Sequence, residues 1–151
     1  DGNMKALVPI TGQEEEEQII EMLRSLPKSI EELIVLHVQD PSPEKTFEML
    51  ELGHHHISKY RLEEVQKTQE AYAQQAVNRA IDTIRRYVDI LATGIILKGR
   101  ANEEIMRAIQ KEGAELVILF AKKNATGPKS IGKTARFVLD HAPCSVLLIR
   151  K

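Results

Sequence analysis

Little in this chain invites covalent chemistry or insertion into a membrane. Its 151 residues include a single cysteine, Cys144, so no intramolecular disulfide can form. No apolar run is long enough to cross a bilayer or to act as a signal peptide. A basic block is missing as well. The 21 lysines and arginines nearly cancel the 22 aspartates and glutamates, which excludes the electrostatic footprint of a general nucleic-acid binder. No Ser-His-Asp, Cys-His or paired-carboxylate constellation can be located, so there is no case for a catalytic site. These exclusions leave a cytoplasmic protein whose partners are small molecules or other proteins, with no nucleic acid and no direct membrane insertion.

What the chain does contain is an alternation. Lys5–Ile10, Leu33–Val38, Gly94–Lys98, Leu116–Phe120 and Ser145–Ile149 are short continuous apolar runs, each bounded by turn or loop residues. Between them, apolar residues recur at helical spacing. Ile19, Ile20, Met22, Leu23 and Leu26 mark a helix from Glu14 that Pro27 stops, and a long helix runs from about Leu62 to Tyr87. A shorter one is capped by Asn102 and ended by Gly113, and the last passes through Ala135, Val138 and Leu139 to Pro143. Buried strands separated by helices predict an α/β fold, a doubly wound five-stranded parallel sheet with helices on both faces. Residues 4–151 form one domain. Asp1-Gly2-Asn3 read as an expression remnant, a linker or the trace of a cut from a longer chain.

Ligands of such sheets bind beyond the carboxyl ends of the strands, where the strand order reverses. The candidate site is therefore bounded by the loops Pro9–Gln13, Val38–Pro43, Lys98–Asn102 and Phe120–Thr134. The last of these contains Gly127-Pro128-Lys129-Ser130-Ile131-Gly132-Lys133-Thr134, which fits the G-x-x-x-x-G-K-[ST] pattern of phosphate-binding loops. Its context does not fit. In a true P-loop protein the first glycine follows its strand almost directly and a later strand supplies an aspartate for magnesium. Here Ala121–Thr126 intervene, and the only downstream strand ends in Ile149-Arg150-Lys151. Gly132 still opens a helix whose free N–H groups, with Lys133 and the Thr134 hydroxyl, are suited to an anion, so phosphate binding without hydrolysis stands beside a plain flexible basic loop.

Ala6–Ile10, Leu36–Pro41, Gly99–Ile105, Gly113–Ile118 and Gly132–Ile149, the last with His141-Ala142-Pro143-Cys144 before the final strand, resemble the universal stress protein family, in order and across nearly the whole chain. The resemblance implies a Rossmann-like sheet ordered 3-2-1-4-5 and a homodimer formed through the last strand. It also implies a non-catalytic regulatory role in stress response. Members that bind ATP carry an acidic residue after the first strand and a G-x2-G-x9-G-[ST] pattern after the fourth. In this chain the acidic position is Thr11, the first glycine position is Ala121, and the second aligns with Asn124. The stretch to Gly132 is short, and Lys133 stands where Ser or Thr is usual, followed by Thr134. Pro9, Val38 and Gly132 match and carry over as pocket-lining candidates, with Thr11, Ala121, Gly127, Lys133 and Thr134 as the rest of the candidate nucleotide set. Loss of a charged acceptor, worth about 1.5–3 kcal/mol, weakens binding ten- to a hundredfold. The expectation is weak, altered or absent binding of ATP with magnesium. Alternatives are a nucleotide-binding stress sensor in which Lys122, Lys123, Lys129 and Lys133 attract phosphates, slow hydrolysis at the same loop, or a cytosolic regulatory domain of a larger protein such as a transporter.

Three other features invite chemistry. His54-His55-His56 reads as a solvated turn, since no Cys or His pair at ligand spacing lies nearby to complete a zinc site. The run Glu14–Glu17 reads as a solvated helix start, because adjacent helical residues point in different directions. His37 reads as a packed residue near the crevice and Cys144 as a small core residue.

Overall fold

The computed structural model describes residues 4–40 and 59–150, the side chains of residues 59–61 excepted. Five strands, β1 (Met4–Pro9), β2 (Ile30–Gln39), β3 (Leu91–Lys98), β4 (Leu116–Phe120) and β5 (Ser145–Ile149), form one parallel sheet in the order β3-β2-β1-β4-β5. The described helices are α1 (Glu16–Ser25), α2 (Lys59–Tyr87), α3 (Ala101–Glu112) and α4 (Lys133–His141). The triple histidine lies outside the described residues.

Alternation along each central strand sends side chains to two cores. Ala6, Val8, Leu33 and Val35 pack with Ile19 and Met22 of α1 and with Val77, Ile81 and Ile84 of α2. Leu7, Ile34, Leu36, Val117 and Leu119 pack with Ile105 and Ile109 of α3 and Val138 of α4. A strand buried on both faces needs apolar residues at successive positions, which is why β1, β2 and β4 read as unbroken runs. Close seating of α2 depends on Gly94 of β3. A Cβ there would come within 2.4 Å of Val77 Cγ1.

The structure corrects several boundaries. β3 begins at Leu91 and β2 at Ile30, each ahead of its apolar run, because ladder pairing to the neighbouring strand continues through Glu32↔Leu91 and Met4↔Ile30. The N-cap of α3 is Arg100 rather than Asn102, with the first helical bond running from Glu104 N–H to Arg100 C=O at 2.9 Å. Leu139 is not on the inner face of α4 but 38% exposed, leaving Val138 as that helix's buried residue. Gly113 caps α3 as the pattern requires.

Candidate functional site

All strands end on the same side of the sheet, and the reversal of order falls between β1 and β4. Beyond those ends lies a cavity of about 1000 Å³ that draws on each of the four loops named from the sequence. Pro9, Thr11, Val38, Lys133 and Thr134 line it. Ala121, Gly127 and Gly132 do not, although Gly132 caps the helix whose first turn does.

The β1–α1 loop is shaped by one carboxylate. Glu14 folds back so that Oε1 accepts the Gly12 N–H at 2.9 Å, while both oxygens receive the Thr11 N–H at 3.0 Å and Oε2 receives the Thr11 hydroxyl at 3.0 Å. Gly12 permits this with φ +97°, and Tyr72 lies so close that a Cβ on Gly12 would stand 2.6 Å from its hydroxyl. A carboxylate therefore does stand at Thr11, supplied from three residues downstream. Sequence reasoning took Glu14 for part of a solvated helix start. The structure starts α1 at Glu16 and gives Glu14 to the loop. The Thr11-Gly12 turn followed by an acid was the available signal, since such turns leave N–H groups in need of an acceptor.

His37 lines the same cavity. Its Nδ1 lies 3.0 Å from the Ile10 carbonyl oxygen, which can only accept, so Nδ1 carries a proton and donates to it. Tyr72 meets the ring edge-on at 6.2 Å between centroids.

On the other side of the reversal, the lysine- and glycine-containing loop spends part of its backbone on itself. Pro128–Ser130 form a 3-10 turn in which the Ser130 N–H donates to Gly127 C=O at 3.1 Å. The Ser130 side chain is fully buried; its hydroxyl donates to the same carbonyl at 2.6 Å and accepts from Arg150 Nη1 at 3.0 Å. Pro128 has no N–H, and that of Ser130 is consumed, so neither faces a ligand. Asn124, aligned with a family glycine, adopts φ +56°, a left-handed conformation that asparagine tolerates better than most residues. Lys123 is drawn away to Glu15 and Glu17, and Gln18 Nε2 donates to Ala121 C=O at 3.3 Å.

The start of α4 differs. Its first backbone bond runs from Arg136 N–H to Gly132 C=O at 2.9 Å, so the N–H groups of Lys133, Thr134 and Ala135 have no intrahelical acceptor. All three residues line the cavity, and no acidic residue occupies the first turn. This end concentrates N–H donors and the positive pole of the helix dipole on the cavity. Arg100, Asn102 and Phe120, within the loops named from the sequence, also line it, and Glu103 and Phe137 are lining residues outside those loops. Cys144 is half-buried and packs beside the α3/α4 core, where burial pushes its thiol pKa up, away from reactivity. Among the described residues no group of histidine, cysteine, aspartate and glutamate could hold a metal ion, and no helix is long and apolar enough to cross a membrane.

A sequence profile of the universal stress protein family matches residues 2–150. The chain belongs to the universal stress protein family. Universal stress protein UspA from Lactobacillus plantarum shares 21% identity and a TM-score of 0.71, with 99% of each chain covered. A universal stress protein family protein from Arabidopsis thaliana, solved with AMP bound, shares 13% identity and a TM-score of 0.64, covering 98% of this chain and 92% of its own. The Archaeoglobus fulgidus universal stress protein in complex with dAMP shares 14% identity and a TM-score of 0.60, with 99% of each chain covered. These likenesses establish the shared fold of this universal stress protein. Comparison with curated protein sequences finds no match.

Proposed function

We propose that this universal stress protein is a non-catalytic, cytoplasmic regulatory module that acts as a homodimer through β5 and takes an adenine mononucleotide in the β1/β4 crevice. The observation that carries the ligand reading is the unsatisfied start of α4, Lys133 to Ala135, opening into the cavity beside Pro9, Thr11 and Val38. Two relatives with this fold are complexes with AMP and dAMP, which is consistent with it.

Cavity charge sets the ligand class. Arg100 and Lys133 face three carboxylates, Glu14, Asp40 and Glu103, and none of Lys122, Lys123 and Lys129 reaches the lining. A triphosphate would bring several negative charges into a net acidic space, whereas one phosphate can be met by a single helix start and one lysine. ATP binding is accordingly weak, and magnesium enters only with ATP. Gly132, with no side chain, leaves the approach to the helix open, while Ala121 and Gly127 frame the loop behind it.

Calorimetric titration with AMP, cyclic AMP and ATP, with magnesium present, tests this reading. AMP should bind more tightly than ATP, and Lys133→Glu should weaken it. Tighter binding of ATP would give the lead to a triphosphate sensor, and absence of heat with every nucleotide at millimolar concentration would remove the ligand. Phosphate release from ATP should not exceed that of a Gly132→Val control. A protein that sediments as a monomer at all concentrations would overturn the dimer.

A further inference from the structure

A second cavity, of about 690 Å³, lies between α1 and α2, within the size range of small-molecule sites. Its floor is apolar: Ile10, Ile19, Ala76 and Ala80 line it, with exposures of 7%, 4%, 4% and 7%. Its rim carries three arginines and three carboxylates, so it offers no net field to a simple anion or cation.

Most of these charges already have work. Glu14 holds the β1–α1 loop, Arg86 pairs with Glu16 at 3.0 Å, and Arg85 donates to Ala92 C=O at 3.2 Å. Arg79 and Asp82 remain, one turn apart on α2, and neither is ion-paired with any described residue. A cation preceding an anion along a helix is the poorer orientation for pairing, which leaves both available.

We infer that this cavity, which adjoins the crevice at Ile10 and Glu14, is a second binding site, for a small zwitterion with an apolar body, the chemistry of a neutral hydrophobic amino acid. Arg79 receives the carboxylate, Asp82 the ammonium, and the floor of Ile10, Ile19, Ala76 and Ala80 the side chain. A hydrocarbon would leave both charges unused, and an anion lacking the ammonium would meet the rim's carboxylates unrewarded.

The test is titration of the intact protein with L-leucine and L-phenylalanine, repeated with N-acetyl-L-phenylalanine, which lacks the ammonium, and with phenethylamine, which lacks the carboxylate. Both amino acids should bind, each single-charge analogue should bind about ten- to a hundredfold more weakly, and Arg79→Gln and Asp82→Asn should weaken the amino acids by a similar factor. Both variants alter exposed residues, so their melting temperatures should match the parent's. Lys133→Glu, which changes the crevice, should leave amino-acid binding intact. No heat with either amino acid at millimolar concentration overturns the proposal, as does affinity indifferent to both variants. Loss of binding in Lys133→Glu would place the amino acid in the crevice and overturn it equally.

Discussion

Two loops flank the reversal of strand order, and they meet the same problem in opposite ways. Each leads from a strand end through a glycine into a helix, and each exposes backbone N–H groups to the crevice. After β1, the protein supplies its own anion: the Glu14 carboxylate takes the N–H groups of Thr11 and Gly12. After β4, the N-cap residue Gly132 has no side chain to accept with and the first turn of α4 carries no acid, so the N–H groups of Lys133, Thr134 and Ala135 have no intrahelical acceptor. Neighbouring loops in one fold thus divide into one whose N–H groups the chain's own carboxylate satisfies and one whose helix-start N–H groups face the crevice without an intrahelical acceptor. What separates them is the presence of Glu14 ahead of one helix and of no acid in the first turn of the other.

The largest expected effect strikes the closed loop. Gly12→Val places a branched Cβ at φ +97° against Tyr72 and should destabilise the protein by about 2–4 kcal/mol in urea unfolding. Gly132→Ala, at φ −66° with nothing within 4 Å of the new Cβ, should cost less than about 1 kcal/mol. Equal losses at the two sites would erase the distinction. Next in size, Lys133→Glu should weaken AMP binding ten- to a hundredfold, the worth of about 1.5–3 kcal/mol in a charge-assisted contact, without lowering stability.

Glu14→Ala sharpens the comparison further. Removing the acceptor shared by Thr11 and Gly12 should cost about 1–2 kcal/mol of stability, with a smaller effect on AMP affinity than Lys133→Glu. Unchanged stability with lost AMP binding would mean that the carboxylate reads the ligand rather than holding the loop. The smallest effect concerns Lys123. Glu15 beside it raises its pKa above the ordinary 10.5, so its contribution is present in full below that value and fades as pH rises through the folded pKa. Lys123→Ala should therefore lower the melting temperature only slightly at neutral pH, and the difference from the parent should vanish in strong alkali. A difference that persists there would assign the effect to packing.

Legibility in the sequence followed burial. β4 and β5 were read to the residue because Leu116–Phe120 and Val146–Ile149 are apolar throughout and sharply bounded. The starts of β2 and β3 were hidden because Glu31, Glu32, Leu91 and Thr93 carry no common pattern; pairing with a neighbour, a long-range fact, makes them strand. In the site, the loops were legible from the topology alone, and Lys133 and Thr134 from the motif. Glu14 escaped because its role depends on a left-handed turn at Gly12 that directs the carboxylate backwards, which a helical reading of Glu14–Glu17 cannot contain. The spelling of a P-loop was already rejected on strand context, but the buried Ser130 hydroxyl, bonded to Gly127 C=O and to Arg150, rests on a long-range contact that the motif does not contain.

Tyr72 resting on Gly12 has an optical consequence. The chain has three tyrosines and no tryptophan, so its near-ultraviolet emission is tyrosine emission alone. One of these three emitters is 42% exposed, touches the ring of His37 and covers the loop that Glu14 holds between the two cavities. His37 lines one cavity and Gly12 the other, so a change in tyrosine emission on titration would be an intrinsic, label-free readout of either proposed site being filled.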